Sequence, residues 1–100
     1  MQLITDEIRR QLPPLYTTEN ASDPVAWVKY FTPDSSWTWY ATEFDGQDTL
    51  FGLVQGLEEE LGYFSLAELQ QARGPSGLPI ERDLHFQPTP LSQLRQQSWT

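Results

Sequence analysis

Glu43, Asp45 and Asp48 surround one turn of the chain, and Glu58, Glu59 and Glu60 follow a few residues later. Carboxylates at that density suit two kinds of chemistry. Converging on one hard cation with open coordination positions, they would activate water, as in a small metal-dependent nuclease. Displayed outward, they would imitate nucleic-acid phosphates and occupy a basic channel on a protein, raising the association rate by electrostatic steering. The second use fits the surroundings better. Asp34, Glu43, Asp45, Asp48, Glu58, Glu59, Glu60 and Glu68 lie between Lys29 and Arg73 with no Lys or Arg among them. Asp45 and Asp48 also suit a hairpin loop by turn geometry alone, and consecutive Glu residues on a strand point to opposite faces, which works against a metal cluster.

Other chemistries lack their residues. His85 is the only histidine and the chain has no cysteine, which removes a zinc site and a Cys/His nucleophile pair. Ser35 and Ser36 belong to a turn, and nothing resembles a nucleophile elbow. Gly52 and Gly56 are followed by no Lys-Ser or Lys-Thr, so they do not form a phosphate-cradling loop. No catalytic residue, cofactor or metal is expected. Trp27, Tyr30, Trp37, Trp39, Tyr40, Tyr63 and Phe64 could stack on bases, but with no cations to track a backbone they are read as core, with one or two Trp rings at a rim anchoring a protein interface.

The bulk composition bounds the partner. One hundred residues with 38% hydrophobic side chains and thirteen aromatics fit one folded domain over residues 1–100. A net charge of −8 and a pI near 4.3 disfavour nucleic acid and anionic membranes as direct ligands, and suit a basic protein or a nucleic-acid-binding protein complex. No apolar run approaches the roughly 20 residues of a membrane span. MQLITDEIRRQL has acids and bases inside its apolar pattern and no cleavage site, so the expected location is the cytoplasm.

The elements that position these groups follow from local patterns. Ile4, Ile8 and Leu12 with a Thr5 cap predict a short helix that Pro13 and Pro14 stop. Val25–Thr32 reads as a first strand with Trp27, Lys29 and Phe31 on one face. Trp37–Phe44 reads as a central strand, with Trp37, Trp39 and Ala41 opposite Thr38, Tyr40, Thr42 and Phe44. Asp45-Gly46 predicts a hairpin into Thr49–Gln55, where Gly52 and Gly56 mark a bulge or a close approach beneath a Trp ring. A fourth strand is expected over about 60–64. Ser65 with Glu68 forms a capping box and Phe64 with Leu69 a staple, so a helix begins at Leu66 and ends before Gly74. Residues 80–86 alternate like an edge strand, and Thr89-Pro90 opens a last helix with proline at its first position. The result is an α+β domain, with an antiparallel sheet of four to five strands and short helices packed on one face.

The segments TPDSSWTWYATEFDG, LEEELGYFSLAEL and RGPSGLPIERDLHF, in this order and spacing, resemble a family of small single-domain proteins of unknown function encoded on bacterial plasmids, integrative elements and phages. The likeness covers about residues 12–94. It implies a bacterial or phage protein from mobile DNA and, by analogy of gene context, an anti-CRISPR or anti-restriction inhibitor acting by nucleic-acid mimicry. The reading is therefore a non-enzymatic binding module that meets a basic surface through Glu43, Asp45, Asp48, Glu58, Glu59 and Glu60. Its alternatives are the metal-dependent nuclease and an accessory subunit of a conjugation or replication assembly.

Overall fold

The computed structural model describes residues 1–95. The first helix, α1 (Asp6–Gln11), has the expected cap: Thr5 Oγ1 accepts from Ile8 N at 3.2 Å, with Asp6 and Glu7 in the first turn and Arg9 and Arg10 in the last. That charge order complements the helix dipole. The chain then enters β1 (Val25–Ala26) and β2 (Val28–Phe31), so the expected first strand is broken at Trp27. The break lets Ala26 and Val28, two residues apart, serve different hydrophobic clusters.

The strands β3 (Thr38–Phe44), β4 (Thr49–Gln55) and β5 (Glu59–Ser65) run as a meander into α2 (Leu66–Gln71). A two-residue strand, β6 (Glu81–Arg82), returns to pair with β2. The five-stranded antiparallel sheet has the order β5-β4-β3-β2-β6, which makes β3 central and leaves β5 at an edge. A separate two-stranded sheet joins β1 to β7 (Thr89–Pro90), and α3 (Leu91–Leu94) follows. The fold is α+β. None of its helices is long and apolar enough to cross a membrane, among the described residues.

Register assigns the faces. Val28 pairs with Ala41, Ala41 with Gly52 and Gly52 with Gly62. One face therefore carries Val28, Tyr30, Trp39, Ala41, Leu50 and Phe64, covered by Leu3, Ile4 and Leu12 around α1, by Leu66 and Leu69 of α2, and by Ile80. Tyr30 is fully buried there and its hydroxyl donates to Leu3 O at 2.8 Å. The other face carries Tyr40 and Leu53, covered by Ala26 and Leu91 of α3 with Phe86 and Leu94 beside them. That cover stops short of Leu61 and Tyr63, which remain exposed. This second face is the open face.

A β-bulge corrects the expected faces of β3. Pairing shifts between Ala41 and Glu43, leaving Thr42 as the extra residue, with its hydroxyl donating to Phe51 O at 3.1 Å. An unbulged strand would place Phe44 beside Tyr40, as simple alternation predicts. The extra residue instead carries Phe44 into the Ala41–Leu50 core and Glu43 to the open face, since one added residue flips everything after it. Two glycines allow close approaches in this sheet. A Cβ on Gly52 would lie 1.7 Å from Tyr40 O, and one on Gly56 would lie 2.2 Å from the Trp37 ring, which stacks on Trp39 at 5.9 Å.

Both capping expectations acquire a distant partner. Ser65 Oγ accepts from Glu68 N at 3.2 Å, but the carboxylate that completes the cap of α2 is Asp48, which takes Ser65 Oγ at 2.7 Å and Ala67 N at 2.8 Å. At α3, Pro90 is the cap residue and not the first helical one, and Asp23 accepts from Ser92 N and Ser92 Oγ at 2.9 and 2.7 Å. The α2 helix ends at Gln71, ahead of Arg73 and Gly74.

Candidate functional site

Three of the six singled-out carboxylates are turned to the protein's own backbone. Glu43 is 3% exposed. Its Oε1 accepts from Tyr16 N at 2.8 Å, and its Oε2 accepts from Thr18 N at 2.8 Å and from the Thr18 hydroxyl. A buried carboxyl group requires such donors, because burial takes its water partners away. The clasp holds the loop before β1 across the sheet and fixes Tyr16 at φ 73°, a left-handed conformation uncommon outside glycine. Asp45 Oδ1 accepts from the N–H groups of Gln47, Asp48 and Thr49 at 2.8, 2.8 and 3.1 Å. The Gln47 and Asp48 bonds hold its carboxyl below the ordinary range. Gly46, at φ 89°, supplies the positive angle that this turn needs. Asp48 caps α2 as described above.

The other three lie at the opposite end of the sheet. Thr49 pairs with Ser65 and Gln55 with Glu59, so the Asp45–Asp48 turn and the Glu58–Glu60 turn are separated by the length of β4, roughly 20 Å at 3.3 Å per residue. The six carboxylates therefore do not form one surface. Glu59 accepts from Gln55 Nε2 at 2.7 Å, and the same amide donates to Leu94 O at 2.8 Å, tying β4 to α3. Glu58 and Glu60 are exposed. No group of three or more His, Asp or Glu side chains gathers as a metal-ligand set among the described residues.

Beside Glu43 the open face has a cavity of about 330 Å³. Phe51, Leu61 and Tyr63 form its sheet wall, Tyr16, Thr18 and Glu19 its loop wall, and Leu91 and Arg95 one end. Phe51 and Tyr63 pack with ring centroids 4.8 Å apart. Desolvation pushes the Tyr63 hydroxyl up, and its bond to Tyr16 and the charges of Glu43 and Glu19 push it in the same direction. Apolar and aromatic surface is nevertheless left uncovered, with Leu61 46%, Tyr63 57% and Tyr16 63% exposed. Large exposed aromatics beside a concavity are common at protein-binding surfaces.

Sequence reasoning missed this site. The sequence reads Tyr63 as core and singles out none of Leu61, Phe51 and Tyr16. The signal that could have found the strand's share is the alternation Glu59, Leu61, Tyr63 on the last strand of a meander, which places apolar side chains at an edge. Tyr16 has no such signal, because only the Glu43 clasp brings it to the sheet.

Fold and site define a small α+β module with a partly aromatic open face. The chain belongs to a family described as proteins of unknown function (DUF2958), whose family model matches residues 3–98. No curated protein and no solved structure matches it.

Proposed function

We propose that this protein is a non-enzymatic binding module that engages a basic protein through the open face at β5. The observation that carries the reading is the exposure of Leu61 and Tyr63 beside the cavity, on a strand that begins with Glu59 and Glu60 and lies in a stretch without a single cation from residue 30 to residue 72. Aromatic and aliphatic anchors supply contact energy, and carboxylates at one end supply orientation and encounter rate. The contact set that follows is Leu61, Tyr63 and Tyr16 on the open face, with Glu58 in the turn before β5 and Glu60 at the strand edge, its side chain on the opposite face. Glu43, Asp45 and Asp48 support the surface from behind.

In keeping with the family resemblance, we infer an origin on mobile DNA and a partner among nucleic-acid-binding complexes of a bacterial host, such as restriction or CRISPR assemblies. Mimicry of a long phosphate array has less support than a compact contact, because the two acidic turns lie apart. The test is affinity capture from host lysate by the wild type, by Glu58→Lys/Glu60→Lys and by Glu7→Lys/Glu81→Lys, which changes net charge equally away from β5. Loss of the wild-type partner in the first variant only is the expected outcome. Equal loss in both variants, or in neither, would contradict a localised contact.

A further inference from the structure

Among the described residues no strand pairs with the outer edge of β5 over residues 61–64, and the hydrogen-bond alternation identifies which of its groups are available. Leu66 N donates to Asp48 O at 2.8 Å, and Gly56 N donates to Glu58 O at 3.1 Å. Those two pairs bracket the β4–β5 register, in which Leu50 faces Phe64, Gly52 faces Gly62 and Val54 faces Glu60. Antiparallel pairs alternate between bonded and non-bonded. The bonded positions of β5 are thus residues 60, 62 and 64, and the N–H and C=O groups of Leu61 and Tyr63 point away from β4. No further hydrogen bond engages those groups among the described residues. Natural edges are guarded by charge, proline or a bulge. Here Glu59 and Glu60 guard only the start, and Leu61 to Ser65 contains none of these devices.

We infer that β5 receives an extended basic segment of the partner as a sixth strand, an inference that rests on the binding reading above. Two-residue periodicity then dictates the segment's chemistry. Side chains on the open face would lie beside Leu61 and Tyr63 at the cavity and must be apolar. Side chains on the other face would lie beside Glu60 and Gly62, where a Cβ on Gly62 would meet nothing within 4 Å, leaving room for a long cation to reach the carboxylate. The fitting occupant alternates apolar and basic residues. A second copy of this chain is the poorer occupant, since it would bring two molecules of net charge −8 edge to edge.

The probe is a peptide of alternating lysine and valine matched to the seven residues of β5, added to the whole protein while amide exchange is followed residue by residue. The amides of Leu61 and Tyr63 should exchange fast in the protein alone and slow by about tenfold or more with saturating peptide, as new ladder bonds require. The same peptide N-methylated on its bonding edge should have no such effect. Tyr63 ring shifts without protection of the two amides would overturn strand addition while leaving a binding face intact. Equal protection by a glutamate–valine peptide, or no response to any peptide, would also overturn it. Protection that instead rises with protein concentration alone would assign the edge to a second copy and contradict the inference.

Discussion

Glu43 is the residue on which the open face depends. It is an acid in the middle of a sheet, and it accepts three hydrogen bonds there from the loop that walls the cavity. Glu43→Gln keeps the shape but turns an amide N–H₂ toward one of those donors. Unfolding in urea should show a loss of about 2 kcal/mol, the range for hydrogen bonds to a buried charge, and a protease should nick residues 13–24 faster than in the wild type. A second residue-scale prediction concerns acid. Asp45 is held below the ordinary carboxylate range by the N–H groups of Gln47 and Asp48, and Asp23 by the Ser92 hydroxyl and then its N–H. For a depressed folded-state pKa the unfolded chain protonates first, so the stability these groups confer is complete above the ordinary Asp value of about 4 and is lost as pH falls through the lower folded value. In urea titrations across that window, Asp45→Asn/Asp23→Asn should lose stability less steeply than the wild type. An equal slope would contradict this assignment.

At the scale of elements, local chemistry was legible wherever one segment decides its own conformation. The Thr5 cap, the Asp45-Gly46 hairpin, the β4 boundaries and the Ser65 start of α2 could all be read from neighbouring residues. What could not be read required a partner far along the chain. Thr42 has no sequence mark of a bulge, yet it reverses the faces of Glu43 and Phe44. Likewise Asp48, which suits a hairpin loop by sequence, and Asp23 serve as caps for helices 17 and 69 residues away. The six-residue α2 is too short to persist alone, so its cap and the buried Leu66 and Leu69 hold it. Ser65→Ala removes the acceptor for Glu68 N and the donor to Asp48, and should lower stability by about 1 kcal/mol in chemical denaturation. An unchanged midpoint would mean that Asp48 suffices as the cap.

Over the whole molecule, the cations gather away from the candidate site. Arg9 lies over the Phe44 ring at 5.2 Å and donates to Gly46 O, Lys29 pairs with Asp83 at 3.6 Å, and Arg82 Nε donates to Gln2 O at 3.0 Å. The β4–β5 half is left acidic, apart from Arg95 at one end of the cavity. The acidic stretch was visible in the sequence as a single run, but folding divides it between the two ends of β4, with Leu61 and Tyr63 exposed along β5 between them, and the proposed contact narrows to that strand and the Glu58–Glu60 turn. The proposed contact surface is the open face along β5. Its most direct test is the affinity of the captured host partner for Leu61→Ser/Tyr63→Ser, with circular dichroism confirming the fold. Binding should weaken by at least about tenfold, as loss of aromatic and aliphatic anchors implies. Binding as tight as the wild type's in the folded variant would contradict it.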